Sequence, residues 1–187
     1  MKKSMGNKAT FMPSPAVLIV SGDMEENNVF SVAWITLAGF NPPMLTFSYN
    51  KDRYSYELIN KTGEFTVNIP SASMADKIDY CGLISGRKMD KITRLKLNIA
   101  KSQYIQTPIL LDCPVNYECR MMDKMEIGGR IIVFAEILDI KIDEDKLTND
   151  KADAEKIDPL LYLNNISQYR SIGKYAGSAF SIGKKYL

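Results

Sequence analysis

Hydrophobic and polar positions alternate most clearly over Leu45–Pro70, LTFSYNKDRYSYELINKTGEFTVNIP. Leu45, Phe47 and Tyr49 point one way and Thr46 and Ser48 the other, the period of a half-buried strand. Asn50-Lys51-Asp52 reads as a turn, with Asp52 as the expected helix N-cap. Arg53 to Lys61 then reads as a short helix with Tyr54 and Leu58 on one face, stopped by Thr62-Gly63. Phe65, Val67 and Ile69 alternate again, and Pro70 ends the second strand. A helix N-terminus offers unpaired N–H groups and a partial positive charge. Here Arg53 and Ser55 add a guanidinium and a hydroxyl, groups that suit a phosphate monoester. A surface arginine and a helix-start serine are the plain alternative.

The same patterning divides the rest of the chain. Met1–Phe11 is a polar, loose lead-in. Ala16–Ser21 is apolar on both faces, so it is expected to be a strand buried on both sides. The acidic turn Gly22–Asn28 joins it to Val29–Ile35 as a hairpin, and Ala38–Pro43 is a bend. Ser71–Ile84 reads as a helix, capped at Ser73, with Met74, Ile78, Cys81 and Leu83 inward. Ser85–Lys91 is a basic turn and Gln106–Val115 is irregular. Val115, Tyr117, Cys119 and Met121 alternate in a strand running to Glu126. Gly128-Gly129 turns the chain into the long apolar strand Arg130–Ile142. Asp143–Lys156 reads as a charged loop, Leu160–Leu163 as a final apolar patch, and the rest as a Gly-, Ser- and Lys-rich tail. Six or seven strands, joined mostly by turns, predict an antiparallel sheet or barrel with helices on its ends. With no repeat or low-complexity linker, residues 1–187 are expected to form one domain.

Composition narrows the chemistry. Net charge is +2, too small for a nucleic-acid footprint, and no apolar run is long enough for a membrane span. The N-terminal stretch reads as no signal peptide, and three cysteines without C-x-x-C spacing suggest reduced, cytoplasmic thiols. The absence of histidine removes the usual triads and most transition-metal sites. Any chemistry then falls to an organic cofactor that the protein binds and orients.

Two tempting motifs fail. Gly177 to Lys184 has five residues between its glycines where a Walker A loop has four, and no G-x-G-x-x-G follows a strand. The segment CGLISGRKMDK, Cys81–Lys91, is better. It places Ser85, Gly86 and three cations (Arg87, Lys88, Lys91) within seven residues, a second corner able to grip a phosphate. Trp34, expected to share a strand with Ser31 and Thr36 that Asn28 precedes, offers an aromatic and amide surface for a flat ligand. Its spacing alone favours a place in the barrel core. Cys81 beside the basic turn reads as a structural thiol before a redox one.

Taken together, several motifs resemble the flavin reductase-like family, the FMN-binding split β-barrels that include flavoredoxin. They are N-x-x-S-V-A-W-x-T (Asn28–Thr36), the F-x-P-P bend (Phe40–Pro43), RYSYELI followed by TGEFTVNIP (Arg53–Pro70), CGxxSGRxxDK (Cys81–Lys91), CPxxxECR (Cys113–Arg120) and the glycine turn before Arg130–Ile142. The resemblance runs from about Pro15 to Gly173. It implies a mainly β, antiparallel Greek-key split barrel and a homodimer with FMN near the subunit interface. It places Asn28 and Trp34 near the ring or ribityl chain and Arg53, Ser55, Ser85 and Lys91 at the phosphate. Tyr162 is the aromatic expected against the flavin. Family members often carry a histidine after the glycine turn, where this chain has Arg130. The implied activity is redox: NADH or NADPH, or a protein partner, as donor, with no nucleic acid and no membrane involved. A carrier without NAD(P)H activity, and a module for another phosphorylated aromatic, are the alternatives.

Overall fold

The structure, a computed structural model, describes residues 1–8 and 12–187. The lead-in expected to be loose therefore includes three residues, 9–11, that lie outside the described ones. The strands and helices in chain order are β1 (Pro13–Pro15), β2 (Val17–Gly22), β3 (Asn27–Val32), β4 (Ile35–Phe40), β5 (Pro43–Asn50), α1 (Tyr54–Thr62), β6 (Glu64–Ile69), α2 (Ala75–Leu83) and α3 (Lys91–Leu95). There follow β7 (Ile99–Ala100), β8 (Ile109–Leu110), β9 (Val115–Ile127), β10 (Arg130–Ile142), β11 (Leu147–Thr148), β12 (Lys151–Ala152), α4 (Ala154–Ile157), β13 (Leu160–Leu163) and β14 (Gln168–Ser171).

Seven strands form one antiparallel sheet in the order β3-β2-β6-β9-β10-β5-β4. The sheet curls because apolar residues from its inner face must meet. Val17, Phe30, Phe47, Phe65, Val67 and Val133 pack into one cluster, with Ile59 of α1 closing it. Register shifts between β9 and β10 at Phe134/Ala135 and Ile137/Asp139 add bend. At the β3–β4 corner the Ser48 amide donates to the Trp34 carbonyl, 2.9 Å, carrying the β4–β5 pairing one residue past Ile35. This is the antiparallel split barrel that the alternation and the resemblance predict.

β2 is buried on both faces, as its double apolar character requires. Val17 and Ile19 enter the barrel. Leu18 and Val20 face a second cluster with Met74, Ile78 and Cys81 of the α2 region and Ile92 of α3. That second cluster anchors the Cys81–Lys91 turn against the barrel. Elsewhere, buried Glu118 accepts the amides of Gln103 and Tyr104 and pairs with Lys141. Asn68 Oδ1 accepts the Leu110 amide at 3.0 Å and Asn116 Nδ2 at 2.9 Å. The Glu118 bonds clamp the turn at Gln103-Tyr104, and the Asn68 bond clamps Leu110 within the stretch read as irregular, Gln106–Val115.

Five local expectations are corrected. The strand expected over Val29–Ile35 breaks after Val32, so Ser31, Trp34 and Thr36 do not share a strand. The N-cap of α1 is Arg53, not Asp52, and no side chain caps it. Leu83 is exposed, because α2 ends with that residue on its outer side, and Ser73 sits within a 3₁₀ turn, Ala72–Met74, whose N-cap is Ser71. The charged loop Asp143–Lys156 contains the hairpin β11–β12 and the start of α4. The stop at Gly63 holds: it adopts the left-handed conformation, and its amide closes the helix on Ile59.

Candidate functional site

Two clefts flank the Arg53–Tyr54 step. The first, about 590 Å³, lies where β3, β5, α1, β10 and the β13–β14 turn meet, with Trp34, Arg53, Arg130 and Tyr162 in its walls. Trp34 is 52% exposed. The core position favoured by its spacing is therefore corrected: once β3 has ended, the corner turns the indole out of the barrel. Arg130, the first residue of β10, lies over the indole with its guanidinium carbon 4.3 Å from the ring centroid. Its Nε donates to Ser48 Oγ at 2.9 Å, one Nη to Asn50 Oδ1 at 2.7 Å and the other to the Ser48 carbonyl at 3.0 Å. Burial, then the charge of Arg53, holds Arg130 below the ordinary arginine range. Tyr162 packs on Tyr169, ring centroids 5.5 Å apart, and the Tyr169 hydroxyl donates to Asp79. Asp79 is the one carboxylate in the wall of this cleft, which it shares with Arg53 and Arg130.

The second cleft, about 420 Å³, has Asn28, Tyr54, Gly86 and Lys91 in its walls. Lys91 is only 3% exposed. Its Nζ donates to the Cys81 carbonyl, 3.3 Å, and no carboxylate pairs with it among the described residues. Burial, which disfavours the charged form, lowers its pKa to about 8; the nearby Arg53 charge acts in the same direction. Asn28 Nδ2 donates to Ser55 Oγ, both groups buried. A Cβ on Gly86 would fall 2.2 Å from Asn28 Oδ1, so only glycine lets the basic turn lie against that pair.

The two corners singled out in the sequence meet. Arg53 donates to the Gly82 carbonyl at 3.2 Å, and Arg87 to the Asp52 carbonyl at 2.9 Å and to Glu57. The positions within them differ. Arg53 borders the first cleft, Asn28 and Lys91 the second, and Ser55 is covered by Asn28. Ser85 is half-buried, its hydroxyl accepting the Arg87 amide. Thr36 is exposed on β4 and borders neither cleft. Sequence reasoning missed Ser48, Asn50 and Asp79; the outward period of β5 already put Ser48 and Asn50 on one face. The Cys81 thiol is buried and raised to about 11, the reverse of a reactive thiolate.

The family described as "Flavin reductase like domain" matches residues 9–173. The chain belongs to this flavin reductase-like family. Among solved structures it is similar to flavoredoxin from Methanosarcina acetivorans, with 33% identity, a TM-score of 0.93 and all of both chains covered. It is similar also to flavoredoxin of Desulfovibrio vulgaris (Miyazaki F), with 31% identity, a TM-score of 0.93, 98% of this chain and 100% of that one. An uncharacterised protein of Archaeoglobus fulgidus is 30% identical over 141 residues, 75% of this chain and 79% of its own. The flavin reductase-like fold is thus shared over its whole length with two flavoredoxins. No helix among the described residues is long and apolar enough to cross a membrane.

Proposed function

We propose that this chain is an FMN-binding redox protein. One observation carries the reading: Lys91 is a buried cation with no carboxylate partner, beside Arg53 and the Asn28–Ser55 pair. An uncompensated buried ammonium is costly, and an anion seated at this corner offsets that cost. The donor set fits a phosphate monoester: two cations, a hydroxyl, an amide and the first-turn N–H groups of α1. Ser85 stands at the edge of the same corner. The ring then extends towards Trp34 and Arg130, with Tyr162 across the first cleft and Thr36 on the outer strand.

Redox chemistry is what a bound flavin supplies. The chain's own residues hold the phosphate, flank the ring and keep a fixed cation near it. Arg130 favours added negative charge there, since its guanidinium is held by Ser48 and Asn50. No histidine or other general base is needed for hydride transfer from NADH or NADPH. A carrier that exchanges electrons with a protein partner is the second reading, favoured by the full-length likeness to two flavoredoxins. Exposed Leu37 and Phe40 on β4, with Met122, Met125 and Ile127 at the end of β9, support a homodimer that covers these apolar side chains. Three free, buried thiols support a reducing, cytoplasmic setting.

The purified protein should be yellow and bind FMN more tightly than riboflavin. Bleaching by NADH or NADPH without air identifies a reductase; bleaching only by a reduced protein donor identifies a carrier. Colourless protein that takes up no added FMN overturns the reading.

A further inference from the structure

We propose that residues 172–187 form an arm that docks on a second copy of this chain, against its acidic excursion at residues 143–158. This rests on the homodimer read above and names a contact beyond the apolar edge.

The arm leaves the body after β14. Its Tyr175, Phe180, Ile182 and Tyr186 are exposed. Among the described residues its hydrogen bonds close within it. The Ser178 carbonyl accepts the Ser181 and Ile182 amides at 3.2 and 3.1 Å, and the Tyr175 and Ser178 hydroxyls share a bond of 2.7 Å. Gly177, at φ +146°, lets Ile182 close on the turn, where a Cβ would lie 2.6 Å from its Cγ2. The arm thus holds its own shape while its aromatic side chains face water, as an interface does and a core does not. It carries three lysines and no acid.

The excursion between β10 and β13 has the opposite character, with seven carboxylates against three lysines. Among the described residues its ion pairing is confined to Lys146 with Asp145, 3.1 Å. Burial, then the neighbouring Asp145 charge, raises the Asp143 carboxyl. The backbone beneath is ordered: β11 pairs with β12, the Thr148 hydroxyl donates to Asp153 at 2.7 Å, and Asp153 accepts the Glu155 and Lys156 amides at 3.0 and 3.2 Å.

Arm and excursion leave the body side by side. Leu160, two residues after the excursion, pairs with Ser171, the last residue before the arm. Among the described residues no hydrogen bond or ion pair joins the two within one chain. Two-fold symmetry makes every contact reciprocal. An axis near this corner therefore sets each arm on the partner's excursion, basic on acidic, twice. Opposite charge supplies orientation, and the aromatic side chains supply buried area.

The test is chymotrypsin cleavage after Tyr175 and Phe180, read by mass spectrometry over a range of protein concentrations, beside sedimentation. Cleavage should slow as dimer forms and quicken at high salt. Lys184→Glu with Lys185→Glu, or Glu144→Lys with Glu155→Lys, should each quicken it about fivefold. Mixing the two variants should restore protection, because only a mixed dimer sets the reversed arm on the reversed excursion. Cleavage that ignores concentration and both reversals, in a protein that sediments as a dimer, overturns the arm and leaves the dimer standing. Protection at every concentration in one chain carrying all four changes, with no rescue on mixing, puts the arm on its own excursion and overturns the proposal. A wild type that stays monomeric throughout overturns the homodimer reading and the arm with it.

Discussion

Arg130 and Trp34 form one wall of the first cleft, the guanidinium carbon 4.3 Å from the indole centroid. Neither is fixed by the other alone. Ser48 and Asn50 on β5 hold the guanidinium through three hydrogen bonds, and the Ser48 amide also holds the Trp34 carbonyl. One strand therefore positions both the cation and the aromatic. If the flavin lies against this wall, Arg130→Gln should make its midpoint potential about 20–40 mV more negative, because the anionic reduced form loses a cation. Potentiometric titration against reference dyes checks this. Trp34→Ala should shift the flavin absorption bands; an unchanged spectrum would place the ring elsewhere.

Lys91 makes a pH-dependent contribution that binding reverses. Its folded pKa of about 8 lies below the ordinary 10.5 of lysine. Between these values the unfolded chain binds more protons than the folded one, so apoprotein stability rises with pH across roughly 8 to 10.5. The size is on the order of 3 kcal/mol. A bound phosphate favours the charged form, so FMN affinity should fall as pH rises past about 8. Riboflavin affinity should not follow that fall. Lys91→Met should stabilise the apoprotein and weaken FMN at least tenfold. Urea melts and flavin titrations at pH 7 and 9.5 separate the two effects.

The alternation of β5, β6 and β9 was legible because the barrel core takes every second residue, and β2 was legible as a run apolar on both faces. The Trp34 corner was not. Val29 to Leu37 contains no Gly or Pro, and its break comes where the chain stops pairing with β2 and starts pairing with β5, marked by the Ser48–Trp34 bond. Lys91 was read as part of a basic turn, since a run of charges looks solvated. Its burial depends on the second cluster, whose members come from distant segments: Leu18, Met74, Leu110 and Leu160. Asn68, Asn116 and Glu118 lie in strands whose sequence does not announce the loops they clamp.

Gly86 should tolerate no side chain. The Cβ of Gly86→Ala would meet Asn28 Oδ1 at 2.2 Å and the Tyr54 ring at 2.9 Å. The turn must back away from α1, or Asn28 must leave Ser55. A loss of about 1–3 kcal/mol of stability is expected, with FMN affinity reduced more than riboflavin affinity. Gly82→Ala is the milder comparison, since its Cβ meets only the Ser31 hydroxyl, at 2.7 Å.

Glu118 should set the acid limit of the fold. Its carboxylate is fully buried, and hydrogen bonds from Lys141, Gln103 and Tyr104 outweigh the burial that opposes ionisation, leaving its pKa lowered from 4.5. Its contribution is present above the unfolded value and lost as pH falls through the folded one. Glu118→Gln should cost about 2–3 kcal/mol at pH 7, and the deficit relative to wild type should shrink below pH 4. Hydrogen exchange should show the Gln103 and Tyr104 amides losing protection first.

Phe40 tests the homodimer. It is 87% exposed at the end of β4, near exposed Leu37, while the rest of the hairpin is tied to β5 and so to Ser48. If a second copy covers this edge, Phe40→Asp should convert dimer to monomer at micromolar concentration without lowering the urea midpoint of the fold. Because β5 also carries the Arg130 anchor, FMN retention should fall with the dimer. Sedimentation and the flavin-to-protein absorbance ratio measure both on one sample. A monomeric wild type that keeps full flavin would mean that one chain completes the site, and the exposed apolar edge would then need another occupant.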